Sequence, residues 1–253
     1  EWWYGVVKET PLKIRQIESE LEYQNVDADF VREYFGLADD LRMIFQQIAK
    51  DSYIKSAIKR FEGLRILRQD PWECLISYIC ATNKNIPAIK DMISTMCMRF
   101  GKKIPVENET FYTFPKPQAL AEASLKELRL CKLGFRAERV KATSKLVSNG
   151  TFNLESLKTL PYENAKKELM TIPGVGPKVA DCILLFSLDK LEAFPIDVWM
   201  KRIILEHYPN YFDPFFVEKA RAKKSPSPRE YETINSFGRK YFGEYVGYAQ
   251  EYL

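Results

Sequence analysis

A chain of 253 residues, 46% apolar and 28% charged, is long enough to bury a sizeable core as one large domain or two smaller ones, and its composition is that of an ordinary globular protein. Its net charge of +4 permits nucleic-acid binding without arguing for it, because a solvated surface gives the same sum. No stretch approaches the roughly eighteen apolar residues that span a bilayer and no signal-peptide pattern opens the sequence, so no membrane partner is expected and an intracellular protein is, nuclear if eukaryotic and in the cytoplasm or nucleoid if prokaryotic.

Residues 1–26 carry Trp2, Trp3, Tyr4, Val6 and Val7, a turn expected at Thr10-Pro11, then Leu12, Ile14 and Ile17 among charged residues. Aromatic and β-branched residues in partial alternation predict two or three strands, taken as the remnant of a small N-terminal β domain. Residue 1 is Glu rather than Met, so the numbering is expected to begin inside a longer translated chain. From residue 27 the period changes. Phe30, Val31, Tyr34 and Phe35, then Leu41, Ile44, Phe45 and Ile48, follow helical spacing, and residues 27–253 are expected to form one α-helical body of about ten helices. The fold class is therefore mainly α with a small N-terminal β portion (α+β).

Several helix starts are spelled out chemically. Asp70-Pro71 with Glu73 offers a cap, a first-turn proline and a capping-box acid; Ser227-Pro228-Arg229-Glu230 repeats that arrangement, and Ser124 with Glu127 forms another box. Pro87 opens a helix that should stop at Gly101, and Gly150 should close the one that starts near Arg136. Lys223-Lys224-Ser225-Pro226-Ser227-Pro228 reads as a surface loop. Five cysteines without a CxxC pair suggest neither a disulfide framework nor a zinc site, and Cys74, Cys80, Cys97 and Cys131 fall in apolar helical patterns as small hydrophobes.

Residues 162–171 form a helical pattern that Pro173 ends. Gly174 and Gly176 are expected to supply the unusual backbone angles of a tight turn, and Pro177 suits the first position of a second helix. Such a helix-hairpin-helix, over about residues 162–188, leaves the amides of Gly174, Val175 and Gly176 open to a DNA phosphate, although a plain packing turn would have the same sequence. Lys178 falls in the first turn of the second helix, where the positive end of the helix dipole acts against an ammonium and an acid is the ordinary choice. It is either a nucleophile or a solvated surface lysine. Cys182 and Phe186 follow at i+4 and i+8 and share its face, as core or as the wall of a pocket. Asp197, in Pro195-Ile196-Asp197-Val198, reads as an N-cap, and a rigid capping anion can also steady a developing positive charge.

With these pieces the chain resembles the helix-hairpin-helix DNA glycosylases, most closely the eukaryotic-type 8-oxoguanine DNA glycosylase/AP lyases, continuously from about Val31 onward. The resemblance rests on LRQDPWECLISYICATNKN at 67–85, KLGFRAERV at 132–140, PGVGPKVADC at 173–182, PIDV at 195–198 and GYAQ at 247–250. It implies the helix-hairpin-helix glycosylase fold and a bifunctional enzyme of base excision repair that flips 8-oxoguanine out of duplex DNA and excises it. Lys178 would be the nucleophile and Asp197 the catalytic carboxylate, with the Lys178 Schiff base allowing β-elimination. Gln250 would hydrogen-bond the damaged base and Cys182 pack on its face. Asn83 would fill the gap in the helix and Arg136 read the orphaned partner base; on the residues alone, Asn83 could equally be a helix C-cap and Arg136 a surface arginine.

There are departures from the family pattern. Trp199 stands where the family usually has a histidine on the damaged nucleotide's phosphate, and Ala88 stands where it has a second partner-reading arginine. The sequence stops at Leu253, one residue before the family's stacking phenylalanine, and the glycine segment that tells 8-oxoguanine from guanine is not visible. The alternatives are a helix-hairpin-helix glycosylase for another oxidised or alkylated base, or a non-enzymatic DNA-binding module. Iron–sulfur members should show four cysteines after the carboxylate, whereas none follows Cys182; alkyl-base members should lack the lysine; a binding module leaves Lys178 and Asp197 unexplained. The expected partner is double-stranded DNA with a damaged base, bound by a monomer without cofactor, metal or iron–sulfur cluster.

Overall fold

Change of hydrophobic period at residue 27 coincides with the change from strand to helix. The computed structural model describes residues 1–106 and 109–253. In chain order its elements are β1 (Trp3–Val7), β2 (Thr10–Ile17), β3 (Glu20–Gln24), α1 (Ala28–Tyr34), α2 (Leu41–Ile48), α3 (Ser52–Arg60), α4 (Pro71–Ala81), α5 (Ile86–Phe100), β4 (Lys103–Val106), β5 (Glu109–Tyr112), α6 (Pro117–Glu122), α7 (Leu125–Leu130), α8 (Arg136–Ser148), α9 (Tyr162–Leu169), α10 (Pro177–Ser187), α11 (Val198–His207), α12 (Pro214–Arg221), α13 (Pro228–Phe242) and α14 (Val246–Tyr252). The helices outnumber the expected ten or so because Asp40 and Asp51 each cap a fresh helix within a stretch whose apolar spacing runs on. Among the described residues no helix is long and apolar enough to cross a membrane.

The chain divides into two compact units, residues 1–37, 69–157 and 172–174 in one and 38–68, 158–171 and 175–253 in the other. In the first, β1, β2 and β3 form an antiparallel meander. Its first turn is Lys8-Glu9, not Thr10-Pro11: Thr10 pairs with Val7 and Pro11 with Val6, and Lys8 takes the left-handed backbone the turn demands. Pro11 is tolerated there because it lies one residue from the strand's end. Val7, Leu12 and Ile14 pack with Val31, flanked by Phe30, Tyr34 and Phe35, so the core of the sheet continues into α1 and does not stop at residue 26. Strands β4 and β5 pair antiparallel in a stretch expected to belong to the α-helical body; four residues each, one of them Pro105, are too few to show alternation.

Caps fall where the residues place them. Ser124 and Ser227 form complete capping boxes with Glu127 and Glu230. Asp70 accepts the Glu73 amide at 3.0 Å, but Glu73 does not return the bond. Its carboxyl is instead drawn inward, where burial and then the Asp70 charge push it up to about 7. Gly101 ends α5, and Gly150 takes a left-handed backbone just past α8.

The second unit is organised on α10, whose residues Val179 to Leu185 are all buried. Two glycines let other helices approach it and the segment that follows. A Cβ at Gly247 of α14 would overlap Leu185, and the Gly247 amide donates to Leu191 O at 2.8 Å. A Cβ at Gly238 of α13 would overlap the Phe194 ring.

Candidate active site

The hairpin turn has one left-handed glycine, not two. Gly174 has φ 91°, and a Cβ there would stand 2.6 Å from Arg139 Cδ. Gly176 is extended, with φ −99° and ψ −179°, and a Cβ there would meet nothing within 4 Å. As the N-cap of α10 it needs that extended backbone, and it brings no side-chain acceptor to the helix's first turn. With Pro177 at N1, the helix end is left without a side-chain cap and without a side chain in front of it, a suitable seat for an anion. Val175, between the two glycines, is buried, which anchors the turn and leaves only its backbone to offer.

Lys178 is half-buried in the first turn of α10; Cys182 is 3% exposed and Phe186 half-buried further along the same face. Leu185, at i+7 from Lys178, shares that face and is the residue Gly247 presses upon. Gln250 lies three residues beyond Gly247 on α14 and so shares its helix face. Its Oε1 is buried with no hydrogen-bond partner among the described residues. A buried amide oxygen left so is costly unless something arrives to satisfy it. Tyr248, whose OH donates to Asp39 Oδ2, and Tyr252, whose OH donates to Leu64 O at 3.1 Å, pin this helix on either side of Gln250.

Asp197 is the N-cap of α11, as the sequence indicates, with its Oδ1 accepting the Trp199 amide at 2.9 Å and the Met200 amide at 2.8 Å. Among the described residues no hydrogen bond reaches Oδ2. Glu251, beside Gln250, is pushed up by burial and then by the Asp197 charge, which places the end of α14 within electrostatic reach of Asp197. Trp199 is 66% exposed, and the Arg202 guanidinium lies 5.0 Å from its ring centroid. An indole N–H on an exposed ring is a donor that a phosphate oxygen can use.

Asn83 and Arg136 lie in the first unit. Asn83 is not the C-cap of α4, which is Thr82; it follows the cap, exposed, with φ 53°. Nor is Arg136 a surface arginine. It is 3% exposed, its guanidinium donates to Thr82 O and to Leu133 O, and its Nε has no partner among the described residues. It thus fixes the residue before Asn83 from behind. Among the described residues no group of three or more His, Cys, Asp or Glu could hold a metal ion. The residue that sequence reasoning missed is Asp181, a carboxylate in the middle of the buried run of α10; its signal was a charge between Ala180 and Cys182 in the otherwise apolar run Val179 to Leu185.

A glycine-capped hairpin helix with a lysine in its first turn, sharing a compact unit with a rigid capping carboxylate and a buried amide, defines a helix-hairpin-helix protein. Residues 1–75 match the family described as 8-oxoguanine DNA glycosylase, N-terminal domain, and residues 76–213 the HhH-GPD superfamily of base excision DNA repair proteins. The chain is 31% identical to a probable N-glycosylase/DNA lyase of Methanothermobacter thermautotrophicus over 91% of its own length and 76% of that protein's. It is 32% identical to the N-glycosylase/DNA lyase of Saccharomyces cerevisiae over 87% of its length and 64% of the yeast protein's. A crystal structure of Clostridium acetobutylicum 8-oxoguanine glycosylase/lyase, in complex with double-stranded DNA containing cytosine opposite 8-oxoG, superposes with a TM-score of 0.87 at 34% identity, covering 99% of this chain and 82% of that one. The chain belongs to the HhH-GPD superfamily of base excision DNA repair proteins, in its 8-oxoguanine glycosylase branch.

Proposed function

We infer that the chain is a bifunctional DNA glycosylase/AP lyase that excises 8-oxoguanine from duplex DNA. The observation that carries this is Lys178, in the first turn of a hairpin helix that has a glycine N-cap and no side-chain cap. The hairpin amides would take a backbone phosphate, so that the lysine beside them faces the sugar of a nucleotide flipped from the stack. The Lys178 lone pair forms a bond to C1′ as the N-glycosidic bond breaks, and the base leaves with that bonding pair and takes up a proton. Asp197 Oδ2 stabilises the oxocarbenium-like charge on the way. Opening of the sugar at the C1′–O4′ bond gives the Schiff base; loss of a C2′ proton then expels the 3′ phosphate, and water returns the lysine.

Gln250 supplies the hydrogen bond to the base edge and Cys182 the surface beneath it. Asn83, held from behind by Arg136, enters the gap, and Trp199 donates to the phosphate beside the lesion. The expectations of a monomer and of no iron–sulfur cluster belong to this reading. The relative solved with DNA containing cytosine opposite 8-oxoG supports the choice of lesion. The test is borohydride trapping during reaction with an 8-oxoguanine duplex, alongside single-turnover cleavage across a panel of lesions and opposing bases. Wild-type protein should trap and Lys178→Ala should not; equal trapping by both would remove the lysine from the mechanism, and preference for an alkylated base would remove the substrate.

A further inference from the structure

Asp181 stands three residues beyond Lys178 on α10 and is fully buried, where a carboxylate persists only if donors surround it. Tyr162 OH donates to its Oδ1 at 2.6 Å, while Lys166 Nζ at 2.8 Å, Asn235 Nδ2 at 3.1 Å and Tyr231 OH converge on Oδ2. Burial pushes the carboxyl up, and Lys166 foremost holds it down. Tyr162 and Lys166 tie only α9 to α10, whereas the Tyr231 OH of α13 also meets the Ile196 backbone beyond α10.

Asn235 does more. Its Nδ2 also donates to Phe194 O at 2.8 Å, in the strap that leads from α10 through Pro195 and Ile196 to Asp197. One buried amide thus ties α10, three residues after Lys178, to the strap, three residues before Asp197. The strap is also held before this tie by Gly247 N–H on Leu191 O and at it by the close approach of Gly238 to the Phe194 ring.

We propose that Asn235 is a positioning residue that sets the placement of Asp197 against Lys178 for base release, an inference that rests on the glycosylase function given above. Asn235 touches no substrate atom. Its two hydrogen bonds use both protons of a single NH2 group, so the position of the strap relative to α10 follows from the geometry of that group. Displacing a group by about 1 Å from its reacting partner can cost about a hundredfold in rate.

The test compares Asn235→Leu, which keeps the volume but makes neither bond, with Tyr162→Phe, which removes one donor from Asp181 on the α9 side and leaves the Phe194 link intact. Base release by Asn235→Leu in single turnover is expected to fall between about ten- and a hundredfold, with duplex affinity within twofold of wild type, and Tyr162→Phe is expected to stay within about threefold. Equal losses in the two variants, or a folded Asn235→Leu that releases base at the wild-type rate, would overturn the proposal. Asn235→Ala replaces the leucine variant if that one does not fold. Crystal structures of the variants decide the point without any activity: the strap from 191 to 197 should shift against α10 in the Asn235 variant alone, and an unmoved strap would overturn the positioning role. A wild-type chain that releases no 8-oxoguanine would instead overturn the glycosylase reading and leave that structural result standing.

Discussion

Asp197 accepts the Met200 amide at 2.8 Å through the same oxygen that takes the Trp199 amide, so one carboxylate oxygen builds the helix and the other faces away from it. Asparagine caps as well as aspartate, whereas alanine costs about 1 kcal/mol at an N-cap. Asp197→Asn should therefore melt within about 0.5 kcal/mol of wild type while base release in single turnover falls about a hundred- to a thousandfold, the range for loss of one preorganised electrostatic group. Asp197→Ala should lose the same activity and, in addition, about 1 kcal/mol of stability in denaturant melts. An asparagine variant with wild-type turnover would reduce Asp197 to a cap.

The two hairpin glycines should respond differently to alanine. At Gly174, φ 91° strains any side chain and the new Cβ meets Arg139, so Gly174→Ala should cost about 1–2 kcal/mol. At Gly176 the backbone is extended and the space is open, so Gly176→Ala should cost less than about 1 kcal/mol. Its methyl group would nevertheless stand in front of the helix end and weaken duplex binding about tenfold, a loss of roughly 1.4 kcal/mol. Melting curves together with fluorescence anisotropy on one DNA duplex separate the two effects.

Gln250 Oε1 is buried and has no hydrogen-bond partner among the described residues. Gln250→Leu keeps the volume and removes that oxygen, so thermal stability should hold or rise while affinity for an 8-oxoguanine duplex falls by about 1–3 kcal/mol. Falls in both would show that the side chain belongs to the fold and not to recognition.

Glu73 provides a pH test. Its carboxyl is raised to about 7 in the folded chain by burial and then by Asp70, against an ordinary value of 4.5. The folded state therefore holds the proton more tightly than the unfolded one. The stability this contributes is complete below about pH 4.5 and is lost as pH rises through 7. Since Glu73 is only partly buried, Glu73→Gln should gain about 1–2 kcal/mol on wild type at pH 8 and nothing at pH 4. Urea melts at the two pH values measure it.

Local chemistry made the helix starts legible: Asp70, Ser124, Asp197 and Ser227 cap where they stand, and the Pro173-to-Lys178 pattern places the hairpin. What depends on distant partners was not legible. The Glu73 half of its box is lost to burial against other elements, and the extended form of Gly176 is set by its role as N-cap. Asp181 meets Tyr162, Lys166, Tyr231 and Asn235 across separations that no local pattern records. The chemistry-bearing residues Lys178 and Asp197 could be named from their neighbours in sequence, whereas the side chains that hold them could not.

Choice of the opposing base should be relaxed. Ala88 is the third residue of α5, its amide accepted by Asn85 Oδ1 at 3.0 Å, and it stands where the family carries a partner-reading arginine. A methyl group there can make no bidentate contact with a base edge, the kind of contact worth about 1–3 kcal/mol of discrimination. Arg136 remains, but its guanidinium already donates to Thr82 O and Leu133 O and must leave those carbonyls to read a base. Cleavage of 8-oxoguanine opposite adenine should then lie within about a hundredfold of cleavage opposite cytosine, a gap below roughly 2.7 kcal/mol. Ala88→Arg should widen that gap by about tenfold through new contacts to cytosine, with the rate opposite adenine unchanged. Single-turnover rates with the four opposing bases, for wild type and for Ala88→Arg, check both statements; a wild-type gap above a hundredfold would mean that cytosine is read from a residue other than the one at position 88.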